Sequence, residues 1–147
     1  VVDIILDTNA FRIFTENDVH KFIDNVVKKC DYIYVPHDIN KELRGRLYSS
    51  LNLIRERLRK LDRKYHEESG IENIQLPKFI EEKLENNKAS EFDKKVAKLA
   101  LKRSKKGNKV YLVSDDRCFI NTSVLFERLG IFVKSYEEFK KEYLSGQ

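Results

Sequence analysis

Val1 to Leu6 is a near-continuous apolar run broken only by Asp3, the pattern of a central strand in a parallel sheet covered on both faces. The run ends at Asp7, where Thr8 or Asn9 can cap a following helix. Val19, Phe22, Ile23, Val26 and Val27 then recur at helical spacing behind a cap candidate at Asn17 or Asp18. Tyr32 to Val35 predicts a second strand, stopped by Pro36, with Asp38 as the next N-cap. From Lys41 onward, Leu43, Leu47, Leu51, Ile54, Leu58, Leu61 and Tyr65 step by threes and fours, a single apolar stripe that predicts a helix of more than about six turns ended by Ser69 and Gly70. Pro77 can start a short helix through Leu84, and Ser90 caps another that carries Phe92, Val96, Leu99 and Ala100. Gly107 and Asn108 stop it before a third strand at Val110 to Val113. Phe119 to Leu129 reads as helix, Ile131 to Val133 as a fourth strand and Tyr136 to Leu144 as a closing helix.

Strands that alternate with helices predict a three-layer α/β/α fold around a central, mostly parallel sheet of four or five strands. Within it, residues 41–88 are expected to form a helical arm. The stripe through Leu58, Leu61 and Tyr65 would fold back onto Phe79, Ile80 and Leu84 as a hairpin, or pair with a second copy in a homodimer. The 147 residues suffice for one domain with its own core. Met is absent at position 1 as elsewhere, as expected of a piece of a longer gene product.

In an open parallel sheet, functional groups gather beyond the carboxyl ends of the strands. Asp7 follows the first strand, Asp116 follows the third, Glu42 is expected one turn into the helix after the second, and Asp93 lies in the first turn of the helix before the third. Each has a plain structural alternative: Asp93 can complete a cap with Ser90, one of Asp115 and Asp116 can cap the next helix, and Glu42 can be a solvated helix residue. Were the four to meet, their mutual repulsion would demand a divalent cation, and oxygen-only donors favour Mg²⁺ or Mn²⁺ over zinc. His20, His37 and His66 are scattered and read as surface residues. Cys30 and Cys118 stand far apart with no paired spacing, which supports neither a disulfide framework nor a zinc finger and suggests a reducing, cytoplasmic setting. No apolar run approaches the length of a membrane span.

Ile5-Leu6-Asp7-Thr8-Asn9 resembles the opening motif of the PIN-domain nucleases. Leu112-Val113-Ser114-Asp115-Asp116 through Phe119 resembles their later strand-turn motif. Pro36 through Glu42-Leu43, and Phe92-Asp93 through Leu99-Ala100, are similar to the acidic elements between. The resemblance runs from Ile4 to about Phe139. It implies a metal site at Asp7, Glu42, Asp93 and Asp116 with Asn9, Ser114 and Asp115 in support, and Mg²⁺- or Mn²⁺-dependent endoribonuclease activity that leaves a 5′-phosphate. Many relatives carry a further acid where this chain has Cys118. An RNA-processing enzyme and a toxin held by a protein antitoxin both fit, and an RNA-binding or assembly module that cuts weakly is the alternative.

Lysine and arginine exceed aspartate and glutamate by 29 to 24, a net charge of +5, which favours a polyanionic partner such as RNA. Lys94, Lys95, Lys98, Lys102, Arg103, Lys105, Lys106 and Lys109 form a run with no acid among them. A second group comprises Arg55, Arg57, Arg59, Lys60, Arg63 and Lys64. Arg44, Arg46, Arg55, Arg59, Lys102, Arg103, Lys105 and Lys106 are the expected phosphate contacts. Tyr32, Tyr34 and Tyr111 sit in strands and read as core or rim.

Overall fold

Five parallel strands in the order β3-β2-β1-β4-β5 form the centre of the computed structural model, which describes residues 1–61 and 64–145. They are β1 (Val2–Leu6), β2 (Tyr32–Pro36), β3 (Tyr65–Glu68), β4 (Lys109–Val113) and β5 (Ile131–Lys134). The chain starts in the middle, builds outward through β2 and β3, then crosses back to add β4 and β5 on the other side. Side chains alternate across each strand. Ile4, Leu6, Ile33, Val35, Tyr111 and Val113 enter one core; Ile5, Tyr34, Val110 and Leu112 enter the other.

The first core is covered by α1 (Glu16–Lys29), α2 (Gly45–Arg59) and α7 (Tyr136–Tyr143), and the second by α3 (Lys78–Asn86), α4 (Glu91–Ser104), α5 (Arg117–Ile120) and α6 (Ser123–Glu127). In the first, Phe14, Phe22, Phe139 and Tyr143 pack ring on ring, with centroids 4.8 to 6.4 Å apart, each such pair adding about 0.5–1.5 kcal/mol beyond its buried area. Caps set the helix starts. Thr15, rather than Asn17 or Asp18, caps α1, with Asp18 closing the capping box; Ser135 and Glu138 do the same for α7. The helix read as Phe119 to Leu129 is two short ones that meet at Thr122, whose hydroxyl donates to the Cys118 carbonyl at 2.7 Å.

The long arm is corrected. The apolar stripe is helical only from Gly45 to Arg59, Leu61 is 41% exposed, and Tyr65 belongs to the edge strand β3. The Ile33 N–H donates to the Lys64 carbonyl and the His37 N–H to the Glu68 carbonyl, both at 2.8 Å. Pairing β3 thus satisfies donors along β2 that would otherwise lie at an open edge. Gly70, at φ 72°, then turns the chain out of the sheet where a side chain would be strained. The expected hairpin is absent too. Leu58 packs in the first core whereas Ile80 and Leu84 pack in the second, so the sheet stands between them, and Phe79 is exposed. Among the described residues no helix is long and apolar enough to cross a membrane.

Candidate metal centre

The strand order reverses between β1 and β4, and the loops that leave these two strands diverge to opposite faces of the sheet, which opens a crevice at their carboxyl ends. Asp7 leaves β1 there, its N–H donating to the Val113 carbonyl at 3.2 Å. Its carboxylate is 5% exposed. It accepts hydrogen bonds from the Ala10 N–H at 2.8 Å, capping a short 3₁₀ turn over Thr8–Ile13, from the Tyr136 hydroxyl at 3.1 Å and from the Ser114 hydroxyl. Ser114 Oγ in turn accepts the Asp116 N–H at 3.0 Å, so one fully buried hydroxyl ties together the acids that follow β1 and β4. Burial pushes the Asp7 carboxyl up from 3.8 to about 6; the Ser114, Ala10 and Tyr136 hydrogen bonds oppose that rise and the charge of Asp93 adds to it.

Asp93 and Asp116 carry structural duties as well. Asp93 accepts the Ser90 N–H at 2.8 Å while Ser90 Oγ accepts the Asp93 N–H at 3.0 Å, a capping box that starts α4. Asp116 caps α5 by accepting the Cys118 N–H at 3.1 Å. Both carboxylates nevertheless line one cleft of about 520 Å³ with Asn9 and Glu42. Glu42 is exposed and sits at the end of a 3₁₀ turn over Ile39–Lys41, ahead of α2 rather than within a long helix. A second hollow of about 330 Å³ is lined by Asp7, Asp115, Asp116, Asn9, Arg12 and Tyr136. The two share Asn9 and Asp116 and are therefore neighbours: Glu42 and Asp93 line the first, Asp7 lines the second, and Asp116 lines both. No lysine or arginine forms an ion pair with any of these four acids among the described residues. Carboxylate oxygens are the donor chemistry of a hard divalent ion such as Mg²⁺ or Mn²⁺, and among these acids an oxygen of Asp93 and one of Asp116 lie within 4.8 Å of each other.

Asp115 turns away from the first cleft and accepts the Tyr136 N–H at 2.8 Å, which anchors α7 to the loop after β4. Cys118 is fully buried beside the acids, and burial, followed by the charges of Asp93, Asp116 and Asp7, pushes its thiol up. Sequence reasoning overlooked Tyr136 and Arg12. Tyr136 stands just past the carboxyl end of β5, the same positional signal that singled out Asp7 and Asp116.

The expected basic surface divides. Arg44 folds its guanidinium onto the carbonyls of Lys41 and Leu43, on either side of Glu42, at 3.0 and 2.9 Å, and Arg46 donates to the Phe14 carbonyl at 3.2 Å. Both are exposed, as is Arg12. Arg55 and Arg59 instead pair with Glu67 of β3 at 3.0 and 3.5 Å; Arg63 lies outside the described residues. The acid-free run of α4 finds its countercharges elsewhere in the fold: Lys94 on Glu85, Lys95 on Asp38, Lys102 on Glu68 and Arg103 on Asp3. Arg103 also stacks over Tyr34, 3.9 Å from its centroid, so it has structural partners of its own. Lys105 and Lys106 remain exposed, about 18 Å along the helix from Asp93 at 1.5 Å per residue. No histidine lines either hollow among the described residues.

No family model, curated protein or solved structure matches the chain.

Proposed function

We propose that the chain is a Mg²⁺- or Mn²⁺-dependent endoribonuclease that hydrolyses RNA phosphodiester bonds in the manner of the PIN-domain nucleases it resembles. One observation supports this reading: four acids from separate segments line two adjoining hollows at the reversal of strand order, and none has a basic partner among the described residues. Glu42 lines the first hollow as the C-cap of the 3₁₀ turn over Ile39–Lys41, with its side chain exposed.

A bound divalent cation supplies an acidified water and stabilises the leaving oxygen. Glu42, Asp93 and Asp116 would hold the cation. Asp7 contributes charge from the floor, its carboxylate fixed by Ser114, Tyr136 and the Ala10 N–H so that no reorganisation is needed when substrate arrives. Arg12 lines the second hollow, and it and the exposed Arg44 and Arg46, which follow Glu42 in the chain, offer guanidinium groups to the RNA backbone. The proposed setting is the cytoplasm, in RNA processing or as a toxin with a protein antitoxin.

A weakly cutting RNA-binding or assembly module is favoured by one fact, the capping bonds of Asp93 and Asp116, which give both acids a reason to be present without metal. Incubation of purified protein with pooled cellular RNA, with and without Mn²⁺, followed by mapping of the cut ends, separates the two. The nuclease yields Mn²⁺-dependent internal cuts with 5′-phosphates that vanish in Asp7→Asn and Asp116→Asn proteins that stay folded. RNA retention with no cuts, or cuts that survive both substitutions, overturns the nuclease.

A further inference from the structure

We propose that Cys118 makes the crevice a mixed sulfur–oxygen site that takes a thiophilic divalent cation of the zinc and cadmium class, in competition with Mg²⁺ or Mn²⁺. The inference rests on the acids forming a metal site and adds a donor that hard-metal chemistry does not call for. The Cys118 sulfur and one carboxylate oxygen from each of Asp93 and Asp116 all lie within 4.8 Å of one another. Around one zinc ion, with metal–sulfur near 2.3 Å and metal–oxygen near 2.0 Å, tetrahedral donors stand roughly 3.5 Å apart. Binding would draw the three donors closer, which requires the Asp93 and Asp116 side chains to turn while they keep their caps on Ser90 and Cys118.

Cys118 lies two residues after Asp116, which caps α5 through the Cys118 N–H, so the start of the helix sets the sulfur beside that carboxylate. Cys118 has apolar company in the second core through Phe119 and Phe126, yet its sulfur is grouped with Asp93 and Asp116. Thiolate is a soft ligand that ranks zinc and cadmium far above magnesium. As the metal–sulfur bond forms, the thiol proton passes to solvent. A soft ion seated on Cys118, Asp93 and Asp116 occupies two of the acids that hydrolysis requires, so traces of zinc would hold the enzyme silent and excess Mn²⁺ or a chelator would release it.

The test uses the full chain carrying Cys30→Ser, which removes the other, exposed thiol. Titration with cadmium chloride is followed by the ultraviolet sulfur-to-cadmium charge-transfer band, and Mn²⁺ binding is followed separately by electron paramagnetic resonance. A band that saturates at one equivalent is expected, lost in Cys118→Ser and in Cys118→Ala. Asp93→Asn or Asp116→Asn should weaken cadmium binding at least tenfold, the lower end of what even an outer-shell partner costs. Asparagine remains a competent helix cap, so Asp116→Asn keeps α5. Circular dichroism checks that every variant is folded. Absence of the band, or a band indifferent to both aspartate substitutions, overturns the proposal. If Mn²⁺ still binds in that event, the acidic metal centre stands without the sulfur; if neither ion binds, both fall together.

Discussion

The two ends of α4 treat negative charge in opposite ways. At its last turn, the fully buried Asp3 is met by Arg103 at 2.9 Å and by the Asn108 amide at 3.4 Å, and Glu68 is met by Lys102 at 2.8 Å. At its first turn, Asp93 joins Asp7, Glu42 and Asp116, and Lys95, two residues further on, is engaged by Asp38 instead. One helix thus shows how this fold neutralises an acid when the acid is structural. Against that internal standard, the four acids without a basic partner among the described residues are the charge that the proposed cation would neutralise.

The largest break in this contrast comes from removing the cation at the neutralised end. Arg103→Ala leaves Asp3 buried with only Asn108, and breaking such a pair costs about 3–5 kcal/mol, readable in urea unfolding. Pairing Asp3→Asn with Arg103→Leu should recover most of the loss, since the uncompensated charge is then gone.

Next in size is the pH dependence at the other end. The folded protein holds the Asp7 proton up to about pH 6 whereas the unfolded chain releases it near 3.8. Between those values the native state binds more protons, so this group makes stability fall as pH rises, by about 3 kcal/mol in all at about 1.36 kcal/mol per unit. Unfolding curves across that window should show the fall in the metal-free protein and lose it in Asp7→Asn. Saturating Mn²⁺ should flatten it as well, because a neighbouring cation favours the ionised carboxylate.

Tyr136→Phe removes one of three hydrogen bonds to Asp7. A loss of about 1 kcal/mol is expected, together with an upward move of the Asp7 pH window, because the hydroxyl favours the ionised form. A window that stayed in place would assign Tyr136 to packing alone.

The smallest effect sharpens the contrast among cations. Arg12 lines the hollow of Asp7 and the exposed Arg44 and Arg46 lie two and four residues after Glu42, whereas Lys105 and Lys106 stand at the far end of α4. Neutralising the three arginines should reduce the salt slope of single-stranded RNA binding by about 0.7 for each phosphate they engage. Neutralising the two lysines should leave it unchanged.

Alternating apolar runs placed β1, β2, β4 and β5 from the sequence, and the rule that loops beyond strand carboxyl ends carry function singled out Asp7, Asp93 and Asp116. These were legible because a strand buried on both faces and a serine-started helix write their signatures within a few residues. The segment that became β3 has no such signature. Tyr65 falls at the next helical step after Leu61 by coincidence, while Lys64, His66, Glu67 and Glu68 give a half-exposed edge strand no apolar alternation. Its identity comes from bonds to β2, some thirty residues away in the chain. The acid-free run of α4 misled for the same reason, since Asp3, Asp38, Glu68 and Glu85 reach it only through the fold.

What this sequence determined by itself was the alternation of strand and helix, the starts of most helices and the acids that stand past the sheet, all short-range consequences of side-chain period and cap chemistry. Tertiary structure alone decided which edge β3 would close, which cations would be neutralised, and that Cys118 and Tyr136 would join the acids. Those outcomes depend on hydrogen bonds and charges between residues distant in the chain, whose energies exist only once the sheet has brought them within reach.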